Sequence, residues 1–179
     1  MMRAMMSKPA FALLLLCVTS APVLAQTPAP SPTLAADRAQ MASCLRQSGT
    51  ATSSCIGLIA VSCVRSAGGD RRDAETTCAR REEAVWRERL ELASLAVLRA
   101  EQTGARGQFV ALQLAWESYV AQKCAFFGGT QPAARVAGMQ AGCELREVAN
   151  RSLELERFIT QRSSTTTQRR PNNPPEIIR

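Results

Sequence analysis

Residues 84–97 read AVWRERLELASLAV. Trp86, Leu90, Ala93 and Val97 return at steps of four, three and four, the spacing of one side of an α-helix. Arg81, Glu83, Arg87, Glu88 and Arg99 fall largely off that side, so one face packs and the other is wetted. The pattern predicts a helix from about Ala74 to Ala100, opened by Asp73 as N-cap after the break Gly68-Gly69-Asp70. Glu82 and Glu83 are neighbours in sequence and point about 100° apart on such a helix. That assigns them to its solvated surface and not to a shared acid–base cleft.

Working outward, the same period continues on both sides. Residues 101–107, EQTGARG, read as a turn. The following helix contains LAWESYVAQKCAFFGG, residues 114–129, with Phe109, Leu112, Trp116, Tyr119, Val120 and Cys124 assigned to one side. Gly128-Gly129 and Pro132 end it. Trp116 and Tyr119 are read as packing residues, because buried aromatics dominate small cores. A binding surface is then expected on loops such as 128–132 or 104–107. The last helix runs from Ala133 to Gln161, with Val136, Met139 and Cys143 on one stripe and Leu145, Val148, Leu155 and Ile159 continuing it.

Toward the N-terminus, LAADRAQMASCLR (34–46) places Met41 and Leu45 four apart on a first helix. After a polar break at 49–54, SCIGLIAVSCVRSA (54–67) is apolar nearly all round, which predicts burial on several sides. No strand period intervenes. The expected fold is all-α: one small disulfide-stapled helical bundle of about four to five helices over residues 34–161.

The ends set the compartment. Arg3 and Lys8 precede an apolar run from Phe11 to Val18, too short to span a bilayer, and Val23 and Ala25 stand where a signal peptidase accepts small residues. Residues 1–25 therefore read as a removed signal peptide and the mature chain as periplasmic. Cys17 follows Leu16, not the small residue a lipidated cysteine requires. QTPAPSPT (26–33) reads as a proline-rich leader, and RSSTTTQRRPNNPPEIIR (162–179) lacks an apolar period and reads as a disordered tail. Without Arg3 and Lys8, 20 basic side chains face 15 acidic ones, a net +5. The arginines are spread along the chain rather than gathered into a stripe, which does not favour a nucleic-acid footprint.

Of seven cysteines, loss of Cys17 leaves Cys44, Cys55, Cys63, Cys78, Cys124 and Cys143. An even number in an exported chain of this size implies structural disulfides. They flank successive helical turns, so pairing in sequence order is the simplest geometry. None is spaced as C-x-x-C, the usual signal of a redox or zinc site. The chain has no histidine, which removes the usual general base and the commonest transition-metal ligand. No phosphate-binding glycine loop is present either. The sequence thus offers no catalytic, cofactor-binding or metal-binding residues, and its partner is expected to be a protein.

One composite pattern has a known counterpart. Leu112-x-x-x-Trp116-x-x-Tyr119-x-x-x-x-Cys124, then Gly128-Gly129, then Cys143-Glu144 and an arginine-rich helix through Arg151 to Leu153-Glu154-x-Glu156-Arg157-Phe158 resembles the LprI-type lysozyme inhibitor family of exported bacterial domains. The resemblance covers about residues 74 to 160. Where many members carry Tyr-Arg-Asp before the cysteine, this chain has Tyr119-Val120-Ala121. The resemblance implies a non-enzymatic envelope protein that binds and blocks lysozyme. The rival expectation is an envelope structural or interaction module without that activity.

Overall fold

The computed structural model describes residues 32–49 and 52–168. The expected signal peptide, most of the leader and the last eleven residues of the expected tail lie outside them. Five α-helices, and no strand among the described residues, carry the fold: α1 (Pro32–Ser48), α2 (Leu58–Ser66), α3 (Arg71–Ala100), α4 (Thr103–Gly129) and α5 (Val136–Gln168). A 3₁₀ turn, Thr52–Cys55, leads into α2, and another, Ala133–Arg135, into α5.

The longest helices, α3 and α5, form the spine. They run parallel: Arg80 pairs with Glu144 near their starts, and Arg89 with Glu156 at 2.8 Å farther along. The stripe read from sequence is the buried face of α3, where Trp86 is fully enclosed with Leu90, Ala93 and Val97 beneath it. Ala141, Leu145, Val148, Ala149, Leu153 and Leu155 of α5 face that stripe. Small residues among them let the backbones approach, and the large ones fill the space between. Met41 of α1 and Ile59 of α2 close the core over the first half of α3. Helix α4 returns antiparallel to both long helices and packs mainly on α5.

Three disulfides join neighbours in sequence: Cys44–Cys55, Cys63–Cys78 and Cys124–Cys143, with Cα atoms 5.9, 5.6 and 5.5 Å apart. Each closes one helical turn or hairpin, the arrangement the spacing suggested.

Glu82 corrects the sequence reading most sharply. It is completely buried, not solvated. One carboxylate oxygen accepts from the Gly57 N–H at 2.7 Å and the Trp86 indole N–H at 3.0 Å; the other accepts from the Ile59 and Ala60 N–H groups at 2.9 and 2.8 Å. The first N–H groups of a helix have no partner within it. Glu82 supplies them for α2 from a different helix, and an anion there also suits the helix dipole. Gly57, the residue before α2, sits at φ 93°, where a side chain would be strained. Glu83 is buried too, gripped by Arg80 at 2.6 Å and by two Arg87 nitrogens at 2.8 and 2.6 Å. Asp37 of α1 is likewise buried and receives a two-pronged bond from Arg81, each contact 2.6 Å.

Element ends differ from the expectation in physically explicable ways. Asp70, not Asp73, caps α3, its side chain accepting from Arg72 N at 2.9 Å. The expected 54–67 helix divides at Gly57, and of α2 only Ile59 is buried, so its apolar character does not mean burial on all sides. The turn after α3 is only Glu101 and Gln102. Helix α4 resumes at Thr103, which places Gly104 and Gly107 within its first turns, where helix-weakening glycine costs least. Helix α5 passes Gln161 and continues to Gln168. Its Ser163, Ser164 and Thr165 hydroxyls donate to carbonyls four residues earlier at 3.0, 3.0 and 2.9 Å, and Arg162 pairs with Glu101.

Candidate protein-binding hairpin

Helix α4 is a long helix with little charge: of its 27 residues only Arg106, Glu117 and Lys123 are ionised. Val120, Cys124 and Gly128 mark the side buried on α5. The Cys124–Cys143 bridge fixes that contact. Four residues on, Gly128 lets the two helices converge, since a Cβ there would lie 3.3 Å from both Gln140 Cβ and the Val136 carbonyl. Gly129 faces open space and simply ends the helix. Lys123 reaches Glu147 of α5 at 2.8 Å, and this hydrogen bond, only partly offset by desolvation, raises the lysine pKa.

Farther up the hairpin, Arg151 of α5 lies under α4 with only 7% of its surface exposed. Its Nε and one terminal nitrogen donate to the Gln113 side-chain oxygen at 2.8 and 2.5 Å; the other terminal nitrogen reaches Glu154 at 2.9 Å. Gln113 in turn donates to Ser94 of α3 at 3.3 Å. The guanidinium also stands 5.9 Å from the Trp116 ring centre, within cation–π range. One polar chain, Ser94–Gln113–Arg151, therefore ties α3, α4 and α5 together.

A groove of about 410 Å³ opens on this chain between α4 and α5. Phe109, Leu112, Val97, Leu155 and Phe158 wall it, with Arg151, Gln108, Glu101 and Glu154 as its polar lining. Its size and its few polar groups in an apolar wall fit a site for an apolar group bearing a polar edge. A wider depression of about 500 Å³ lies between α1 and α3, by Met41, Leu92 and Leu95, and is bordered by the charged side chains Arg38, Glu88, Arg89 and Glu91.

The motif residues thus separate into two sets. Trp116, Cys124, Gly128, Cys143 and Arg151 come together where α4 meets α5. Leu112 and Tyr119, assigned to the core by the sequence, are 54% and 55% exposed. Trp116 is half-buried, and the enclosed tryptophan of this protein is Trp86. The expected binding loop at 104–107 is helical, and of the expected loop at 128–132 only 130–132 lies outside a helix. Gln113 went unrecognised, although it stands three residues before Trp116 on the same face. Phe158 appeared only at the end of the family pattern.

No described helix is long and apolar enough to cross a membrane. Among the described residues, no three cysteine or acidic side chains gather in a way that could hold a metal ion. Comparison with protein-family models, curated proteins and solved structures finds no match for the chain.

Proposed function

We propose that the chain is an exported, non-enzymatic protein-binding domain of the periplasm that inhibits lysozyme, taking an apolar side chain of the enzyme into the groove between α4 and α5. The observation that carries this reading is the hairpin itself. A disulfide and the Ser94–Gln113–Arg151 chain fix α4 on its neighbours, and a largely apolar groove opens beside Arg151. A site already shaped in the free protein loses little ordering entropy on binding. Three disulfides suit an oxidising compartment, and the resemblance described above names lysozyme as the enzyme to test.

Charge sharpens the test. Without its expected signal peptide the chain is basic, at a formal net +5, and animal-type lysozymes are basic as well. Association therefore proceeds without attractive steering, at about 10⁵–10⁶ M⁻¹s⁻¹, and salt should speed it slightly by screening repulsion. The purified oxidised chain should slow lysozyme clearance of a peptidoglycan suspension in proportion to its amount. Phe158→Asp, which places a charge in the groove wall, should abolish this without unfolding the protein. Lysis unaffected by a molar excess of the chain would reject lysozyme as the target and leave the groove to another envelope protein.

A further inference from the structure

Six of the ten large apolar side chains exposed among the described residues belong to α4: Val110, Leu112, Leu114, Tyr119, Phe126 and Phe127. At about 100° per residue, the side opposite buried Val120 carries Ala111, Ala115, Ser118, Gln122 and Ala125, all exposed. Leu112, Tyr119 and Phe126 border these small residues on one edge at steps of seven; Val110 and Leu114 border them on the other. The charged residues of α4 turn elsewhere. Arg106 donates to the Glu101 carbonyl at 2.7 Å, Lys123 pairs with Glu147, and Glu117 sits beside Arg87 in the α3–α4 groove. The outward half of α4 is uncharged from end to end.

We propose that two copies of this chain pair through that face, α4 lying antiparallel on α4 about a two-fold axis beside Tyr119. The spacing is self-complementary. Leu112 and Phe126 stand seven residues to either side of Tyr119, so reversal about Tyr119 sets Leu112 of one copy against Phe126 of the other and Tyr119 against its own symmetry mate. A two-fold interface demands this kind of match. The small central row lets the helices approach closely while the large side chains close over its edges.

Charge and area select the same occupant. Two copies of an exported chain at +5 repel in general, and an uncharged strip is where they meet at least cost. A foreign partner steered by complementary charge finds none on this face. The five bordering side chains are about half exposed and, with the small residues between them, present roughly 700 Å² per copy, close to the ~800 Å² per partner of a stable interface. Lys123, 5.5 Å from the Tyr119 ring centre, brings no unpaired charge to the axis because Glu147 holds it. Leu112 is where this face meets the α4–α5 groove, and the pairing stands independently of what that groove binds.

Light scattering on the exported, oxidised chain tests the proposal at about 100 µM, where a micromolar dissociation constant leaves most chains paired. The expected mass is that of two chains, and Ser118→Arg should halve it with helix content unchanged. Tyr119→Cys should form a disulfide-linked dimer under mild oxidation, whereas Arg72→Cys, at the start of α3, should not. Phe158→Asp should leave the mass at two chains, which separates this result from that of the inhibition assay. A single-chain mass for the unsubstituted protein, a dimer that survives Ser118→Arg, or no link through residue 119 would each overturn it.

Discussion

The two tryptophans stand in contrasting halves of the molecule. Around Trp86, four helices converge, two disulfides flank α2, and the indole N–H ends on a carboxylate that also caps a helix. Around Trp116, one helix lies on a parallel pair, its ring is only partly buried, and Arg151 covers it from one side. The first region is enclosed by contacts in every direction. The second is held by a few fixed points and presents the rest outward. Rigidity and exposure coexist in the hairpin because a disulfide and a polar chain position α4 without covering it.

Replacing Trp86 should break that contrast most severely. Trp86→Ala leaves a cavity in the core and strips the Glu82 carboxylate of a donor, a loss of about 3–5 kcal/mol that denaturant unfolding would measure. A loss under about 1 kcal/mol would mean that the enclosed region is not the stability core.

Next in size is removal of the Cys124–Cys143 bridge by paired serine substitution. Chain entropy for a separation of 19 residues sets the cost at about 3 kcal/mol. Proteolysis should then begin in α4, with the Trp86 region staying resistant. Equal loss of protection in both halves would erase the distinction between them.

Trp116→Ala should cost roughly 2 kcal/mol, about half the Trp86 figure, because only part of the ring is buried. The domain should remain folded. An unfolded Trp116→Ala protein would show that the hairpin shares the core after all.

The smallest effect concerns pH. The Arg38 hydrogen bond lowers the Glu88 pKa; desolvation opposes it and the Arg38 charge adds to it. A carboxylate whose pKa is lower in the folded state stabilises the fold above its unfolded pKa, and that contribution is lost as pH falls through the folded value. Stability should therefore decline slightly below the ordinary glutamate range, and Arg38→Gln should flatten that decline. A profile unchanged by the substitution would remove the pair from the account.

These tests also mark where the sequence was informative. The α3 stripe was legible because apolar and charged residues alternate with a clear period of 3.6. Helix α4 offers no such contrast: it is apolar or small on nearly every side, so Leu112 and Tyr119 could not be distinguished from Phe109 and Val120 by type alone. Glu82 was misread from its charge, although it stands four residues before Trp86 and extends the buried stripe by one step. The continuation of α5 was hidden by a serine and threonine run of weak helix propensity, whose hydroxyls bond to carbonyls four residues earlier. Of the candidate site, Trp116, Arg151 and the two cysteines were visible as a pattern. Gln113 joins three helices through contacts no local spacing reveals.

The cap that Glu82 places on α2 has a consequence for how the chain matures. Cys44, Cys55, Cys63 and Cys78 can pair in three ways, and the pairing present is the one that accompanies Gly57 seated against Glu82. A mispaired isomer leaves that carboxylate buried without its backbone donors, or exposes it and opens the core. The cap would thus favour the native pairing during thiol exchange, a single side chain biasing two covalent bonds in which it takes no part.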